Sequence, residues 1–179
     1  MFHSWQQSVC QQLLWDRGNT LTTLCCALVR SQLEYCTIVW SPHSARNSNK
    51  LERIQRRASK FILKTDDDYE TRKDKLNLLS LEDMRFFFDV LFFYKVLNGF
   101  INIGMSSLID FYSHSDQHSL RGRDNLTLKK QFARTDVFKF SYFNRIVDLW
   151  NSLPNSTCSA TSVSNFKRGV REFLTSRLV

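Results

Sequence analysis

The sequence has few of the residues and patterns on which catalytic sites and phosphate-binding loops depend. Its five glycines are isolated from one another, so no glycine-rich phosphate loop is present. No HExxH, GxSxG or CxxC pattern occurs. The four histidines lie near the amino terminus, after Pro42 and in a polar stretch, and none is predicted to serve as a buried base. We therefore expect no catalytic residues, no metal site and no cofactor.

Long apolar runs are also missing. The most apolar window, Phe86 to Leu97, is interrupted by Asp89 and Lys95 and is shorter than the ~20 residues that cross a bilayer. The first residues have neither a basic segment nor an apolar run, so no secretory signal is predicted. The five cysteines are odd in number and lack disulfide-like spacing. We expect an intracellular protein of the cytoplasm or nucleus, without a transmembrane segment.

What the chain does contain is enough apolar sequence for a core, and an excess of positive charge. Of its 179 residues 42% are hydrophobic and 15 are Phe, and the formal net charge of +8 favours an anionic partner. Apolar residues recur at helical spacing, which predicts a mostly α fold of about five to seven helices. We predict a divergent arm over residues 1–18 and a single helical domain over 19–179. A short β hairpin or irregular loop is expected near 120–140, with a strand at 126–128.

Capping residues and periodicity locate the helices. Asn19 or Thr20 is predicted to cap a helix that runs to about Tyr35. The residues predicted to face inward are Leu21, Leu24, Ala27, Leu28 and the neighbourhood of Leu33. Further helices are predicted at 69–76, 81–98, 100–111, 142–151 and 163–177.

The helix at 81–98 is expected to be the core helix. Ser80 with Asp83 forms a capping box at its start, and Gly99 takes the left-handed conformation after its end. Thr161 or Ser162 is predicted to cap the last helix. The side chains predicted to face inward from the core helix are Met84, Phe87, Phe88, Leu91, Phe92, Val96 and Leu97.

The stretch from Asn47 to Lys64 combines an apolar stripe with a row of basic residues. Between Ser44 and Lys64 there are seven basic residues and one Glu, which is three quarters of the formal net charge of the chain. The basic residues recur at the same interval as the apolar ones, one position earlier, so the basic row is predicted beside the buried stripe. The stripe predicted to be buried is Leu51, Ile54, Ala58, Phe61 and Ile62.

A row of cations on a rigid helix suits a polyanion, because each phosphate that it neutralises releases counterions. The partner expected from this pattern is a polyanion such as a nucleic-acid backbone. The alternative is the solvated basic face of an ordinary amphipathic helix. The candidate nucleic-acid-binding residues are Arg46, Lys50, Arg53, Arg56, Arg57, Lys60 and Lys64.

Two polar clusters invite a metal-binding interpretation that the sequence disfavours. The three aspartates at 66–68 are adjacent, and adjacent side chains on a helix diverge; they fit better at the positive end of a helix that begins near Asp68 or Tyr69. His114 and His118, with Asp116 between them, lie in a stretch of loop-like composition and lack further ligands.

Short motifs occur in a fixed order along most of the chain. Residues 28–36 read LVRSQLEYC, residues 39–42 read VWSP and residues 50–58 read KLERIQRRA. Tyr-Glu with Arg at 69–72, LNLLSL at 76–81, Tyr-Lys at 94–95 with Asn-Gly at 98–99, LWNSLP at 149–154 and SNFK at 164–167 follow. This series resembles the region after the polymerase core in reverse transcriptases of non-LTR retrotransposons of the Jockey and CR1 type.

The resemblance implies a thumb or carboxy-terminal region that grips template RNA or primer and does not carry out the chemistry. The family's catalytic aspartates belong to a Tyr-x-Asp-Asp motif, and the TDDDY at 65–69 is not that motif. It further implies two partners, which are the backbone of RNA or of an RNA/DNA hybrid and an upstream polymerase domain of the parent element. Residues 1–18 depart from the family pattern, as we expect of a truncated or reassigned copy.

These features together predict a nucleic-acid-binding carboxy-terminal fragment of a reverse transcriptase that lacks the catalytic palm and the endonuclease. One alternative is a structural domain that packs on a missing polymerase core. The other is a retroelement remnant without function.

Overall fold

A computed structural model of the chain describes residues 18–104, 109–111 and 126–177. The fold is mostly helical with a short antiparallel hairpin, which confirms the predicted fold class. Internal contacts group the chain into two compact units, Met1–Cys36 with Pro42–Met84 and Thr37–Ser41 with Arg85–Val179, which we call the first and the second unit. The division falls inside the stretch predicted as one domain. The arm predicted at 1–18 lies, except for residue 18, outside the described residues.

Helix α1 belongs to the first unit and contains a π-helical segment. It comprises residues 18–24, the π-helical Cys25–Arg30 and the α-helical Ser31–Glu34. The helix ends where Tyr35 becomes extended, with ψ 128°, and Cys36 takes φ 51°. Residues 19 and 20 are already helical, so the caps predicted there are wrong.

The inward face predicted for α1 is only partly right. Leu21 and Leu33 are half-buried, but Leu24, Ala27 and Leu28 are exposed. Arg30 is buried instead and pairs with Glu34 at 2.7 Å. A π-helical segment has more residues per turn than the 3.6 of an α-helix, so a face chosen at α-helical spacing does not continue through it.

The first unit also contains helices α2 (Ala45–Leu63) and α3 (Tyr69–Lys75). Ser44 caps α2 by accepting from the Asn47 N–H at 3.4 Å, and Lys64 ends it in the left-handed conformation. Asp68 caps α3 by accepting from the Thr71 N–H at 3.2 Å. The helix predicted to begin beside the aspartate run is therefore confirmed, and Asp68 stabilises its positive end.

Helix α4 (Leu81–Leu97) begins and ends as predicted. Ser80 Oγ accepts from the Asp83 N–H at 3.0 Å and donates to the Asp83 carboxylate at 2.6 Å. Gly99 has φ +72°, and the Phe100 N–H donates to the Lys95 carbonyl at 2.9 Å, which closes the helix.

The inward face predicted for α4 is only partly right. Phe87 and Leu91 are buried, but Leu97 is exposed. The helix is buried on most of its circumference, so one apolar stripe cannot describe it. Its buried residues also include Leu81, Phe86, Val90, Phe93 and Tyr94.

The hairpin joins β1 (Asp110–Phe111) to β2 (Leu128–Lys129), with Asp110 opposite Lys129 and Phe111 opposite Leu128. The helix predicted at 100–111 is wrong, because residues 102–104 have no regular structure and the strand follows. Leu128 is buried, and its N–H and carbonyl both bond to the Asn151 amide at 2.9 Å. The Asn151 amide thus provides hydrogen-bond partners for backbone groups of β2 that a two-stranded sheet leaves unpaired.

The remaining helices are α5 (Asp136–Lys139), α6 (Tyr142–Asn151), α7 (Asn155–Cys158) and α8 (Val163–Ser176). The bounds predicted for α6 are confirmed, as are the start of α8 and its cap Ser162, which accepts from the Asn165 N–H at 3.2 Å. The short α5 and α7 were not predicted.

Aromatic side chains of α4, α6 and α8 form the core of the second unit. The Phe93 and Trp150 rings lie 4.9 Å apart, and the Tyr94 and Phe166 rings stack at 4.1 Å. The Tyr94 hydroxyl donates to the Ala160 carbonyl at 2.7 Å. The buried hydroxyl of Tyr94 thus has a hydrogen-bond partner, while its ring adds apolar area to the core.

A partly buried ion pair of the second unit also holds residues 37 and 38. Arg145 Nε donates to Asp89 at 2.8 Å, and its Nη2 donates to the carbonyls of Thr37 and Ile38 at 3.4 and 3.1 Å. The pKa of Asp89 is raised above its ordinary value, because the effect of burial exceeds the opposing effect of Arg145.

None of the helices in the described ranges combines the length and apolarity that a membrane crossing needs.

Candidate nucleic-acid interface

The seven candidate basic residues are all exposed, and they lie on α2 or at its carboxy-terminal cap. At about 100° per residue, five of them fall within an arc of roughly 80°. The centre of this arc is opposite the side that contains the buried Gln55, Ser59 and Ile62. We call these five residues the basic face: Arg46, Lys50, Arg53, Arg57 and Lys60.

The sequence placed the basic row beside the buried stripe, whereas the row lies opposite the buried side, because the predicted stripe is only partly buried. Ile62 is buried and Leu51 and Ala58 are half-buried, but Ile54 and Phe61 are 41% and 67% exposed. The other buried residues of α2 are the polar Gln55 and Ser59. The reason is the chemistry of the neighbouring segment. Gln55 Nε2 donates to the Tyr69 hydroxyl and to the Leu79 carbonyl, each at 3.0 Å.

A second polar contact fixes the same side of α2. Ser59 accepts from Arg72 Nε at 3.2 Å, and Arg72 Nη1 also donates to the Asp67 carbonyl. Arg72 is buried, and a buried guanidinium without acceptors would be strongly destabilising. The orientation of α2 about its own axis is therefore set by hydrogen bonds as well as by apolar packing.

Glu52 is the single acidic residue of α2, and it points away from the basic face. Its carboxylate accepts from the Tyr69 hydroxyl and, at 3.1 Å, from the Leu81 N–H at the start of α4. Burial, together with the neighbouring Glu52, raises the pKa of Tyr69. Sequence reasoning missed this role of Glu52; the available signal was a lone acid within a strongly basic helix.

Most of the basic face has no internal counter-charge. In the described part of the chain, Arg46, Lys50, Arg53 and Arg57 have no carboxylate partner. Lys60 pairs with Asp66 at 2.8 Å, but both side chains are exposed, and such pairs are weak. These cations are therefore available to an external anion.

The other two candidates, Arg56 and Lys64, lie outside the basic face as defined. The Arg56 guanidinium lies 4.8 Å from the centre of the Tyr69 ring, at the edge of the buried side. Lys64 follows the last turn of α2 as its left-handed cap residue. Both are exposed, so both can extend the face without belonging to its central row.

The aspartates at 66–68 bond to three different partners and do not converge. Asp66 bonds to Lys60, Asp67 to Lys75 at 2.7 Å, and Asp68 to Thr71. Each of these hydrogen bonds lowers the pKa of its carboxyl group. Across the described ranges, no group of three or more His, Cys, Asp or Glu side chains is placed to hold a metal ion. His114, Asp116 and His118 lie outside the described residues.

The basic face has a length that suits several phosphates. From Arg46 to Lys60 it covers 14 steps of the helix, or ~21 Å at ~1.5 Å per residue. One strand of a B-form duplex places a phosphate every ~3.4 Å along its axis, so about six phosphates fit beside it.

The chain matches no protein-family model, and neither a curated protein nor a solved structure matches it. The resemblance to non-LTR reverse transcriptases therefore depends on the sequence motifs alone. The candidate interface depends on the geometry and charge of α2.

Proposed function

We propose that this protein binds the phosphate backbone of RNA, or of an RNA/DNA hybrid, through the basic face of α2. In this proposal it is the carboxy-terminal part of a non-LTR retrotransposon reverse transcriptase and is not itself an enzyme. The observation that supports it most is the row of exposed cations, four of them without a carboxylate partner in the described residues, on one side of a 19-residue helix.

The proposed binding does not depend on nucleotide sequence. Lys and Arg at regular spacing on a rod contact phosphates, which fix position and carry no base information. The inward Glu52 supports this mode, because an outward carboxylate in the row would repel the backbone.

Salt dependence tests the proposal directly. We expect a labelled RNA hairpin, followed by fluorescence anisotropy, to bind with a log–log salt slope of about −3 to −5, as 4–6 neutralised phosphates require. The same hairpin should bind equally well when its bases are permuted. No binding at low salt, or a slope near zero, would contradict the proposal.

A charge variant with a matched control locates the binding. Replacing Lys50, Arg53 and Arg57 together by Gln should weaken binding ~10- to ~100-fold at ~0.1 M salt and make the slope less steep by about 2–3. The control replaces Lys129, Lys139 and Lys167, three exposed residues of the second unit, by Gln. It removes the same charge, so an equal loss in both variants would show that net charge, and not the basic face, carries the binding.

A second candidate function is packing against the polymerase core of the parent element. The observation that favours it is the exposed apolar side chains of the first unit, Leu24 and Leu28 on α1 and Ile54 and Phe61 on α2. This function predicts self-association of the isolated chain at low salt without nucleic acid, which sedimentation velocity measures. A monomer that binds RNA favours the first proposal.

A further inference from the structure

An exposed phenyl ring adjoins the basic face. Phe61 is 67% exposed on α2, and it lies four residues after Arg57 and three before Lys64, so it is the neighbour of both on the helix surface. Within the described residues its ring has no aromatic or cationic partner. Both chemistries that a nucleotide needs, a cation for phosphate and a free aromatic face for a base, are thus adjacent.

The exposure of Phe61 is a consequence of how α2 is held. The hydrogen bonds of Gln55 and Ser59 turn the polar side of α2 inward and so turn Phe61 and Ile54 outward. An exposed apolar ring is unfavourable in water, and a face that must bind only phosphates gains nothing from it.

We infer that the basic face takes single-stranded nucleic acid, with one unpaired base stacked on Phe61. This inference rests on the proposed function and specifies its substrate. Stacking on an exposed aromatic side chain is the usual way in which proteins hold single strands without reading their sequence, since every base has a π face.

Duplexes do not use such a ring in the same way. Their bases are stacked on one another, and the deep, narrow major groove of an A-form helix does not admit side chains to the base edges. The cations of the basic face bind either form, whereas Phe61 adds affinity only where a base is unstacked.

Three probes of equal length separate these contributions. They are an oligo(U) single strand, an abasic single strand and an RNA duplex. Each is about 12 nucleotides long, which is within the range of common single-strand site sizes. The variants are Phe61→Ala, Phe61→Leu, which keeps an apolar side chain without a π face, and Phe61→Trp. The matched control is Phe132→Ala, because Phe132 is 88% exposed and lies in the second unit.

We expect Phe61→Ala to bind oligo(U) about tenfold more weakly, equivalent to ~1.4 kcal/mol, which is within the range for one base–aromatic stack. Phe61→Leu should lose a similar amount, and Phe61→Trp should bind at least as tightly as the parent. Binding to the abasic strand and to the duplex should change less than about twofold in each variant, as should binding of Phe132→Ala to any probe. Running oligo(dU) beside oligo(U) shows whether the 2′-hydroxyl contributes.

The outcomes distinguish this inference from the proposed function. If no probe binds at low salt, both fail. If all probes bind with steep salt dependence but Phe61→Ala weakens them equally or not at all, the phosphate-binding face remains and the stacking inference is overturned. Self-association that Phe61→Ala abolishes would also overturn it, because the ring would then serve a protein contact.

Discussion

The two units are stabilised by different kinds of core. Among the described residues of the first unit, the apolar side chains that are buried are Ile62 and Leu81, and Gln55, Arg72 and Lys73 are buried with them. In the second unit the buried side chains are mainly aromatic and aliphatic, with Phe93, Tyr94, Trp150 and Phe166 among the largest. The first unit therefore depends more on directional polar contacts, and the second more on apolar burial.

This difference explains how an exposed row of cations is kept in one orientation. An apolar stripe can rotate by a residue or two at modest cost, because burial is not directional. Hydrogen bonds to Tyr69, Leu79 and Arg72 require particular atoms at particular places, so they fix the rotation of α2. The polar core has a cost of its own, since the buried Gln55 Oε1 has no hydrogen-bond partner among the residues that the structure describes.

The largest expected effect comes from the aromatic core of the second unit. Trp150 is 1% exposed, packs on Phe93 and donates from Nε1 to the Leu126 carbonyl at 2.9 Å. Trp150→Ala should lower the free energy of unfolding by ~3–5 kcal/mol, measured by urea denaturation followed by circular dichroism. Trp150→Phe, which keeps an aromatic ring, should lose less and shows the effect even if the alanine variant does not fold.

The exposed Phe132 is the control for that measurement. Phe132→Ala should change the free energy of unfolding by less than ~0.5 kcal/mol, because its side chain is already in water. A loss below ~1 kcal/mol for Trp150→Ala would mean that the second unit does not depend on its aromatic core.

Local signals in the sequence predicted several helix ends well, although not the start of α1. Ser80 with Asp83, Gly99 and Ser162 each act through backbone groups no more than five residues away, so no knowledge of the fold was needed. The same reasoning explains the success with Asp68, whose carboxylate accepts from the third residue after it.

The buried side of a helix was harder to predict, because it depends on the chemistry of distant residues. Hydropathy selected Ile54 and Phe61 for the core of the first unit. The structure buries Gln55 and Ser59 beside Ile62, because Tyr69 and Arg72 offer them polar partners 14 and 13 residues later, respectively. On α4 the difficulty was different, since a helix buried on most sides has no single apolar stripe to find.

The candidate site was predictable in part. Charge and spacing identified the seven basic residues of α2, and exposure follows readily for Lys and Arg. Their place opposite the buried side, the inward Glu52 and the free ring of Phe61 all depend on the rotation of α2, which no local pattern encodes.

A smaller effect is expected from the polar core of the first unit. Glu52→Ala removes the acceptor of both the Tyr69 hydroxyl and the Leu81 N–H, and it should lower the free energy of unfolding by ~1–3 kcal/mol. Glu52→Gln keeps an acceptor oxygen and should cost less. Urea denaturation measures both variants.

The matched control for this variant is in the second unit. Glu172 is exposed and lies 4.0 Å from Arg168, so Glu172→Ala should cost less than ~0.5 kcal/mol. Similar losses for Glu52→Ala and Glu172→Ala would show that the inward carboxylate of α2 contributes no more than a surface ion pair. The two cores would then differ in their residue types, but the polar contacts of the first unit would add little to its free energy of unfolding.

The smallest expected effect is the pH dependence that Asp68 and Asp89 contribute, which has opposite sign for the two residues. Hydrogen bonds from Thr71 lower the pKa of Asp68 below its ordinary 3.8, so its stabilising contribution is present above that value and is lost as the pH falls through the lowered pKa. Burial raises the pKa of Asp89 in the second unit, so its contribution is instead fully present at low pH and is lost as the pH rises through the raised pKa. Asn caps helices about as well as Asp but does not titrate, so Asp68→Asn should match the parent at neutral pH and lose less stability between pH ~5 and ~3. Urea midpoints across that range measure the difference, and an identical acid dependence in parent and variant would show that the cap of α3 does not contribute to it.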